Sequence, residues 1–247
     1  MPPAEICVTM PDEIPMPLWI IFAGILTPAI FWMAYFYFKD RLQPEPFLKT
    51  GTAYLLGIGS ALVVVQFLRV LPFVGLPDDP SLLMEGQRWG YLFYSICVTG
   101  LIEEFFKFLP FLAFVLNFRA FDEKIDGIIY ASMIALGFAS YENIQYLSYM
   151  EGPELLGRAF ASPLTHTIFS SIWGYSVGTA RLKMRSLLRP SIIGIGLAAL
   201  FHGMFNFLTT SSVLRIGSSL LILVIWIWRI RLMERLSRNA PANTDKE

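Results

Sequence analysis

The sequence predicts an all-α protein, a polytopic bundle of about seven membrane-spanning helices with six to eight as the range. Apolar residues make up 55% of the chain and the mean hydropathy is +0.57. Charged residues make up only 15%, which is too few to coat a soluble globule of this size. Lipid is therefore the expected solvent for most of the chain.

The predicted spans are apolar runs close to the roughly 20 residues that a membrane helix needs. They lie near residues 18–38, 51–70, 91–116, 127–149, 159–180, 191–210 and 213–228. The last run is short, and Arg215 and Arg229 at its ends are expected to snorkel toward the headgroups. We expect a single transmembrane domain over residues 18–230, between an extracytoplasmic tail at 1–17 and a disordered cytoplasmic tail at 231–247.

The orientation follows from where lysine and arginine lie. Basic residues concentrate in the connectors at 39–49, 119–124 and 181–189 and in the tail from residue 229, whereas the opposite connectors are acidic. We therefore expect the N-terminus outside and the C-terminus in the cytoplasm, in a multi-pass protein of the inner (cytoplasmic) membrane. The formal net charge is zero, which gives no reason to expect nucleic acid as a partner.

Three charges interrupt the third apolar run, in the segment LIEEFFKFLP. Each costs roughly 2.5–3.5 kcal/mol at the centre of a membrane helix. Lys107 lies four residues after Glu103 and three after Glu104, so it can pair with either carboxylate. A buried ion pair that only neutralises itself needs one carboxylate, so the second glutamate favours a functional site.

Other polar side chains with useful chemistry also fall within predicted spans. Glu142 and the neighbouring Asn143 lie near the outer end of the fourth run, and the two histidines of the chain are His166 and His202. Asn206 follows His202 by four residues, so both project from one helix face. A water-facing glutamate and helix-packing histidines are the plain alternatives, but the estimated depths predict one pocket that opens outward and collects these groups.

Several segments, in order, resemble the PrsW family of intramembrane proteases, which is grouped with the CAAX prenyl endopeptidases and bacteriocin-immunity proteins. The matching segments are YFYFKDRLQPEPF, EEFFKFLP, DGIIYASMIALGFASYENIQY, the stretch around His166, and FHGMFN. The resemblance covers residues 35–208. It implies hydrolysis of a peptide bond in a membrane-anchored protein, with anti-sigma factors as the best-known substrate class.

The resemblance also implies residue roles. A glutamate pair followed by a basic residue matches Glu103, Glu104 and Lys107, and Glu103 is our choice for the base that activates water. The family's HxxxN motif matches His202 and Asn206, whose implied role is to stabilise the oxyanion.

The second superfamily motif, FxxxH, is FxxxE in this chain, from Phe138 to Glu142, as in PrsW members. Either Glu142 or His166 would therefore have to take the part of the missing histidine. Asn143, beside Glu142, is expected to support the site.

Two alternatives stay open at this point. His166, His202 and Glu103 supply the three protein ligands of a catalytic zinc, although HExxH is absent, and we favour a mechanism without a cofactor. A proton-coupled transporter also uses buried carboxylates and histidines, but the inverted repeats of many carriers are not visible. The expected partners are the bilayer and a membrane-anchored protein substrate, and the oligomeric state is left open.

Overall fold

A computed structural model describes residues 18–40, 43–77, 83, 87–147, 152–211 and 213–238. Within these ranges the regular structure is entirely helical, which confirms the all-α class. The main helices are α1 (Leu18–Lys39), α2 (Phe47–Leu68), α3 (Arg88–Tyr94), α4 (Leu101–Ala113), α5 (Lys124–Leu147), α6 (Gly152–Leu182), α7 (Leu188–Thr209) and α8 (Arg215–Arg238).

A π-helical segment, Ser95–Gly100, joins α3 to α4, so the two form one continuous helix. Counted this way, the described part of the chain contains seven long helical segments, one for each predicted apolar run. Three of them, α2, α7 and α8, are long and apolar enough to cross a membrane by length and composition. The exact number of crossings and the orientation of the termini stay predictions.

The helix α5 lies at the centre of the bundle. All of its residues from Ile125 to Ser140 are buried, and its main neighbours are α6 and α2. Many large apolar side chains on the outer helices are exposed instead, among them Leu55 and Val63 of α2 and Leu220 and Val224 of α8. An apolar exterior of this kind suits contact with lipid.

Glycines allow α2 and α5 to approach at backbone distance. A Cβ atom added to Gly57 would lie 1.9 Å from the carbonyl oxygen of Ile134, and one added to Gly137 would lie 1.9 Å from that of Tyr54. Small residues at helix crossings are the usual means of bringing membrane helices this close. The contact fixes the centre of the bundle against α2.

The last helix differs from the sequence-based expectation at Arg229. This side chain is 1% exposed and does not snorkel toward headgroups. Its guanidinium donates to Ser132 Oγ at 2.5 Å and to Thr167 Oγ1 at 3.4 Å. A charged residue at the end of an apolar run usually marks the end of the membrane span. Here the Arg229 side chain stays inside the bundle, because hydroxyls of α5 and α6 accept its hydrogen bonds.

The same helix continues past the predicted end of the domain. Residues 231–238 were expected in a disordered tail, whereas α8 extends through them to Arg238. The rest of that tail and the N-terminal tail at 1–17 lie outside the described residues.

The close crossing predicts opposite results for two glycines of α2. Gly57→Ala should lower the thermal stability of the purified protein by roughly 1–3 kcal/mol or more, because the new methyl group overlaps the backbone of α5. Gly59→Ala should be neutral or stabilising, since no neighbouring helix in the described part of the chain lies within 4 Å of its Cβ position and alanine favours the helix. Equal loss of stability in both variants, measured by thermal unfolding in detergent, would contradict the crossing.

Candidate active site

The π-helical segment and α7 approach closely beside the glutamate pair. A Cβ atom on Gly203 would lie 2.4 Å from Cα of Ile96, and one on Gly100 would lie 2.7 Å from the carbonyl oxygen of Ala199. This contact places His202 against the first turn of α4. Single π-helical turns are frequent at functional sites because they displace the residues that follow.

The ammonium of Lys107 lies at the centre of the cluster. Its Nζ is 2.9 Å from Glu104 Oε1, 3.5 Å from Glu103 Oε2 and 2.8 Å from His166 Nδ1. The ring of Phe138 adds a cation–π contact at 4.2 Å. Lysine has three donors and no acceptor, so His166 Nδ1 accepts a hydrogen bond from it.

Glu104 is fully buried and receives hydrogen bonds on both oxygens. Ser170 Oγ donates at 2.8 Å and Trp173 Nε1 at 2.9 Å to Oε2, while Lys107 lies 2.9 Å from Oε1. His202 Nδ1 is 3.1 Å from the same Oε1. With so many donors around it, this carboxylate fixes its neighbours in place.

Glu103 has a different environment, although it is the adjacent residue. Its side chain is 10% exposed, and Oε2 lies 3.5 Å from Lys107 Nζ, 3.7 Å from His202 Nε2 and 3.9 Å from His166 Nδ1. These contacts are all longer than those of Glu104. Glu103 therefore keeps acceptor capacity for a water molecule or a substrate group.

His166 connects the ammonium to a second ion pair. Because Nδ1 accepts from Lys107, the ring proton is on Nε2, which lies 2.8 Å from Glu142 Oε2. Glu142 Oε1 in turn accepts from Arg158 at 2.9 Å, and the Arg158 guanidinium lies over the ring of Tyr146. Glu142 thus lies in close contact with the N–H side of the His166 ring.

A cavity of about 680 Å³ gives access to this cluster. Five of the predicted site residues contribute to its wall: Glu103, Glu142, His166, His202 and Asn206. The structure therefore brings together side chains from α4, α5, α6 and α7 around one cavity.

The other three predicted residues lie behind or beside this wall. Glu104 and Lys107 are fully buried and reach the cavity only through Glu103, His166 and His202. Asn143 is buried as well, and its amide is 3.4 Å from the carbonyl oxygen of Ala159. It connects α5 to α6 and does not line the cavity.

Three further residues of the site, Ser170, Trp173 and Arg158, were not predicted from the sequence. Ser170 and Trp173 follow His166 by four and seven residues, so one face of α6 carries all three. That spacing is readable in the sequence. The spacing alone does not indicate a site, because serine and tryptophan are common in apolar helices that have no catalytic role.

The same groups offer a possible set of metal ligands. Glu103, His166 and His202 each supply a donor atom, and these atoms lie within 4.8 Å of one another. The far nitrogen of each imidazole faces a carboxylate, Glu104 or Glu142, as is common for metal-bound histidines. His166 Nδ1, however, is the nitrogen that faces Glu103, and it is already in contact with Lys107 at 2.8 Å.

Carboxylates, imidazoles and an amide around one cavity of a membrane-type helical bundle are the acid–base and donor groups that peptide hydrolysis requires. The family model described as "PrsW family intramembrane metalloprotease" matches residues 45–230. The chain belongs to this family, and it is an intramembrane peptidase.

Curated relatives agree with the family match. The chain is 31% identical to Protease PrsW of Oceanobacillus iheyensis, over 92% of this chain and all of the relative. It is 31% identical to Protease PrsW of Geobacillus kaustophilus, over 76% of this chain and 79% of the relative, and 30% identical to that of Bacillus subtilis, over 78% and 83%. No solved structure matches the chain.

Adjacent serines of α6 provide a test of the hydrogen bonds to Glu104. Ser170→Ala removes a donor to a buried carboxylate and should cost roughly 1.5–3 kcal/mol of stability, with reduced cleavage. Ser171→Ala is the matched control, since the Ser171 hydroxyl donates only to the carbonyl oxygen of Ile168 in its own helix. Thermal unfolding and cleavage by both variants make the comparison, and a smaller loss for Ser170→Ala than for Ser171→Ala would refute the assignment.

Proposed function

We propose that this chain hydrolyses a peptide bond in a membrane-anchored protein and that Glu103 activates the attacking water. The observation that carries the proposal is the difference between two adjacent glutamates. Glu104 is enclosed by donors, whereas Glu103 lines the cavity and has only contacts of 3.5 Å or more to charged neighbours. A general base needs access to water and a lone pair that is not already occupied.

In the proposed reaction, water in the cavity loses a proton to Glu103 as its oxygen attacks the scissile carbonyl carbon. The carbonyl oxygen becomes an oxyanion, which needs hydrogen-bond donors aimed at it. The proton held by Glu103 then passes to the leaving amine as the carbon–nitrogen bond breaks. Glu103 thus ends the cycle ionised, as it began.

Asn206 and His202 are the proposed donors to the oxyanion. The Asn206 amide is neutral and lines the cavity one turn after His202. His202 Nδ1 faces Glu104, so its Nε2 can donate only when the ring carries both protons. The contact between Nδ1 and Glu104 orients the ring, which gives Glu104 a positioning part in the reaction.

We propose further that no metal takes part at this site, although the family description includes the word metalloprotease. Glu103, His166 and His202 are ligand types that zinc accepts, and zinc there would polarise a carbonyl or a bound water. The arrangement of the residues does not fit, because the Lys107 ammonium is 2.8 Å from His166 Nδ1 and 3.5 Å from Glu103. A divalent ion would have to displace that contact and lie beside a positive charge.

The substrate class rests on the family resemblance. We propose a single-span or membrane-anchored regulatory protein of the anti-sigma-factor kind, cleaved near the extracytoplasmic side of the inner membrane. The cavity is lined by Glu142 and Arg158, which lie toward the predicted outer ends of α5 and α6. If the predicted orientation holds, the substrate enters the cavity from the extracytoplasmic side.

The proposal predicts that Glu103→Gln abolishes cleavage while insertion and thermal stability are retained, because glutamine keeps the shape and cannot accept the proton. Glu104→Gln should lose both activity and stability, since it leaves buried donors with a neutral partner. Asn206→Ala should retain activity reduced roughly a hundredfold or more.

The measurement is cleavage of a membrane-anchored reporter in proteoliposomes at matched protein amounts. Glu234→Gln is the control, because this carboxylate is exposed and, among the described residues, forms an ion pair with Lys39 at the end of α1, away from the catalytic cavity. Full cleavage by Glu103→Gln would show that Glu103 is not the base.

A further inference from the structure

A second group of buried carboxylates lies outside the catalytic cavity. Asp40 follows the last turn of α1, Glu45 lies in the connector before α2, and Asp126 belongs to the first turn of α5. Their exposed fractions are 4%, 6% and 1%. One oxygen from each lies within 4.8 Å of one from the others, and we call these three residues the acidic cluster.

The acidic cluster is remote from the glutamate pair. Asp126 and Glu142 are sixteen residues apart on α5, which corresponds to about 24 Å of helix rise. The cluster lies at the opposite end of that helix, on the predicted cytoplasmic side. It therefore has no part in the proposed hydrolysis.

The side chain of Asp126 indicates that the cluster binds a ligand. Its Oδ2 accepts the backbone N–H groups of Asp122 at 2.8 Å and Glu123 at 2.6 Å. Its Oδ1 is buried and has no hydrogen-bond partner among the described residues. Buried carboxylate oxygens are seldom left without a partner, since desolvation costs free energy that a proton, donor or metal must offset.

The surroundings hold the cluster in a definite geometry and leave a route to it. Tyr130 donates its hydroxyl hydrogen to Glu45, and the prolines on both sides of Glu45 restrict its backbone. A cavity of about 570 Å³ between α1, α2 and α5 has Asp40 and Glu45 in its otherwise mostly apolar wall. A small ion can reach the carboxylates through it.

We propose that Asp40, Glu45 and Asp126 bind one divalent cation of the oxygen-preferring class, namely Mg²⁺, Ca²⁺ or Mn²⁺. All three ligands are carboxylates, which are hard oxygen donors, and the group contains neither imidazole nor thiolate. Close carboxylates repel one another when ionised, and a divalent cation reverses that interaction. The bound ion connects the α1–α2 linker to the start of α5 and so stabilises the central helix.

The first test is thermal unfolding of the full chain in detergent after removal of divalent ions by EDTA. Addition of MgCl₂, CaCl₂ or MnCl₂ should raise Tm by several degrees in a saturable way, because an ion that binds only the folded state stabilises it. Asp40→Asn and Glu45→Gln should each lose this rise. Tyr130→Phe should keep it with affinity reduced roughly tenfold, as expected when a ligand loses its supporting hydrogen bond.

Two controls separate this site from other carboxylates. Glu103→Gln should retain the full rise in Tm, and so should Glu234→Gln, whose exposed carboxylate lies at the same end of the bundle. The absence of a saturable rise in the parent protein with all three ions would overturn the proposal. A rise that persists unchanged in both Asp40→Asn and Glu45→Gln would also overturn it.

A substitution can lower Tm without any effect on ion binding, so a second test measures the number of bound Mn²⁺ ions directly. In the Glu103→Gln background, loss of the free Mn²⁺ signal in electron paramagnetic resonance should show about one ion bound per chain. Addition of Glu45→Gln to that background should reduce binding at least tenfold. Binding lost in Glu103→Gln alone would place the ion at the catalytic cavity and refute the acidic cluster as its site.

Discussion

Two adjacent glutamates are buried inside a helical bundle, and the ammonium of Lys107 is what allows both to be there. Removing an ion from water costs several kcal/mol even after relaxation, and only close opposite charges and hydrogen bonds offset that cost. Lys107 contacts both carboxylates and the ring of His166. Because His166 belongs to α6, this one charge also connects α4 to α6.

The two glutamates differ in how well hydrogen bonds and opposite charges offset the cost of their burial. This difference separates their roles in the site. Glu104 accepts hydrogen bonds from Ser170 and Trp173 of α6 and contacts His202 of α7. It therefore aligns both helices with α4. Glu103 receives no contact that short and faces the cavity. One glutamate is thereby structural and the other is available for chemistry, although the sequence presents them as a pair.

Sequence reasoning could identify the apolar runs and the charged residues within them, because insertion into lipid penalises charge so strongly that each exception is informative. It could also group His202 with Asn206 through helical spacing. It could not assign different roles to the two glutamates, since their difference comes from α6 and α7. The interior position of Arg229 was missed for the same reason: the hydroxyls that accept its hydrogen bonds belong to two other helices.

The π-helical turn before α4 was also beyond the sequence. Ser95–Gly100 contains several weak α-helix formers, but that composition does not by itself indicate a π-helical turn. The acidic cluster differs from the π-helical turn, because its residues did stand out in the sequence but their proximity did not. Its residues fall in segments that the family resemblance had singled out, KDRLQPEP and DGIIY, yet nothing in the sequence indicated that the two segments meet.

In the proposed mechanism, Lys107 supplies the positive charge of the active site and no metal binds at His166 and His202. The most direct measurement is reporter cleavage by the purified chain before and after treatment with 1,10-phenanthroline, with the transition-metal content per chain determined by mass spectrometry. The account predicts unchanged cleavage at a zinc content well below one per chain. Cleavage that is lost on chelation and restored by zinc, with about one zinc per chain that His202→Ala no longer binds, would contradict it.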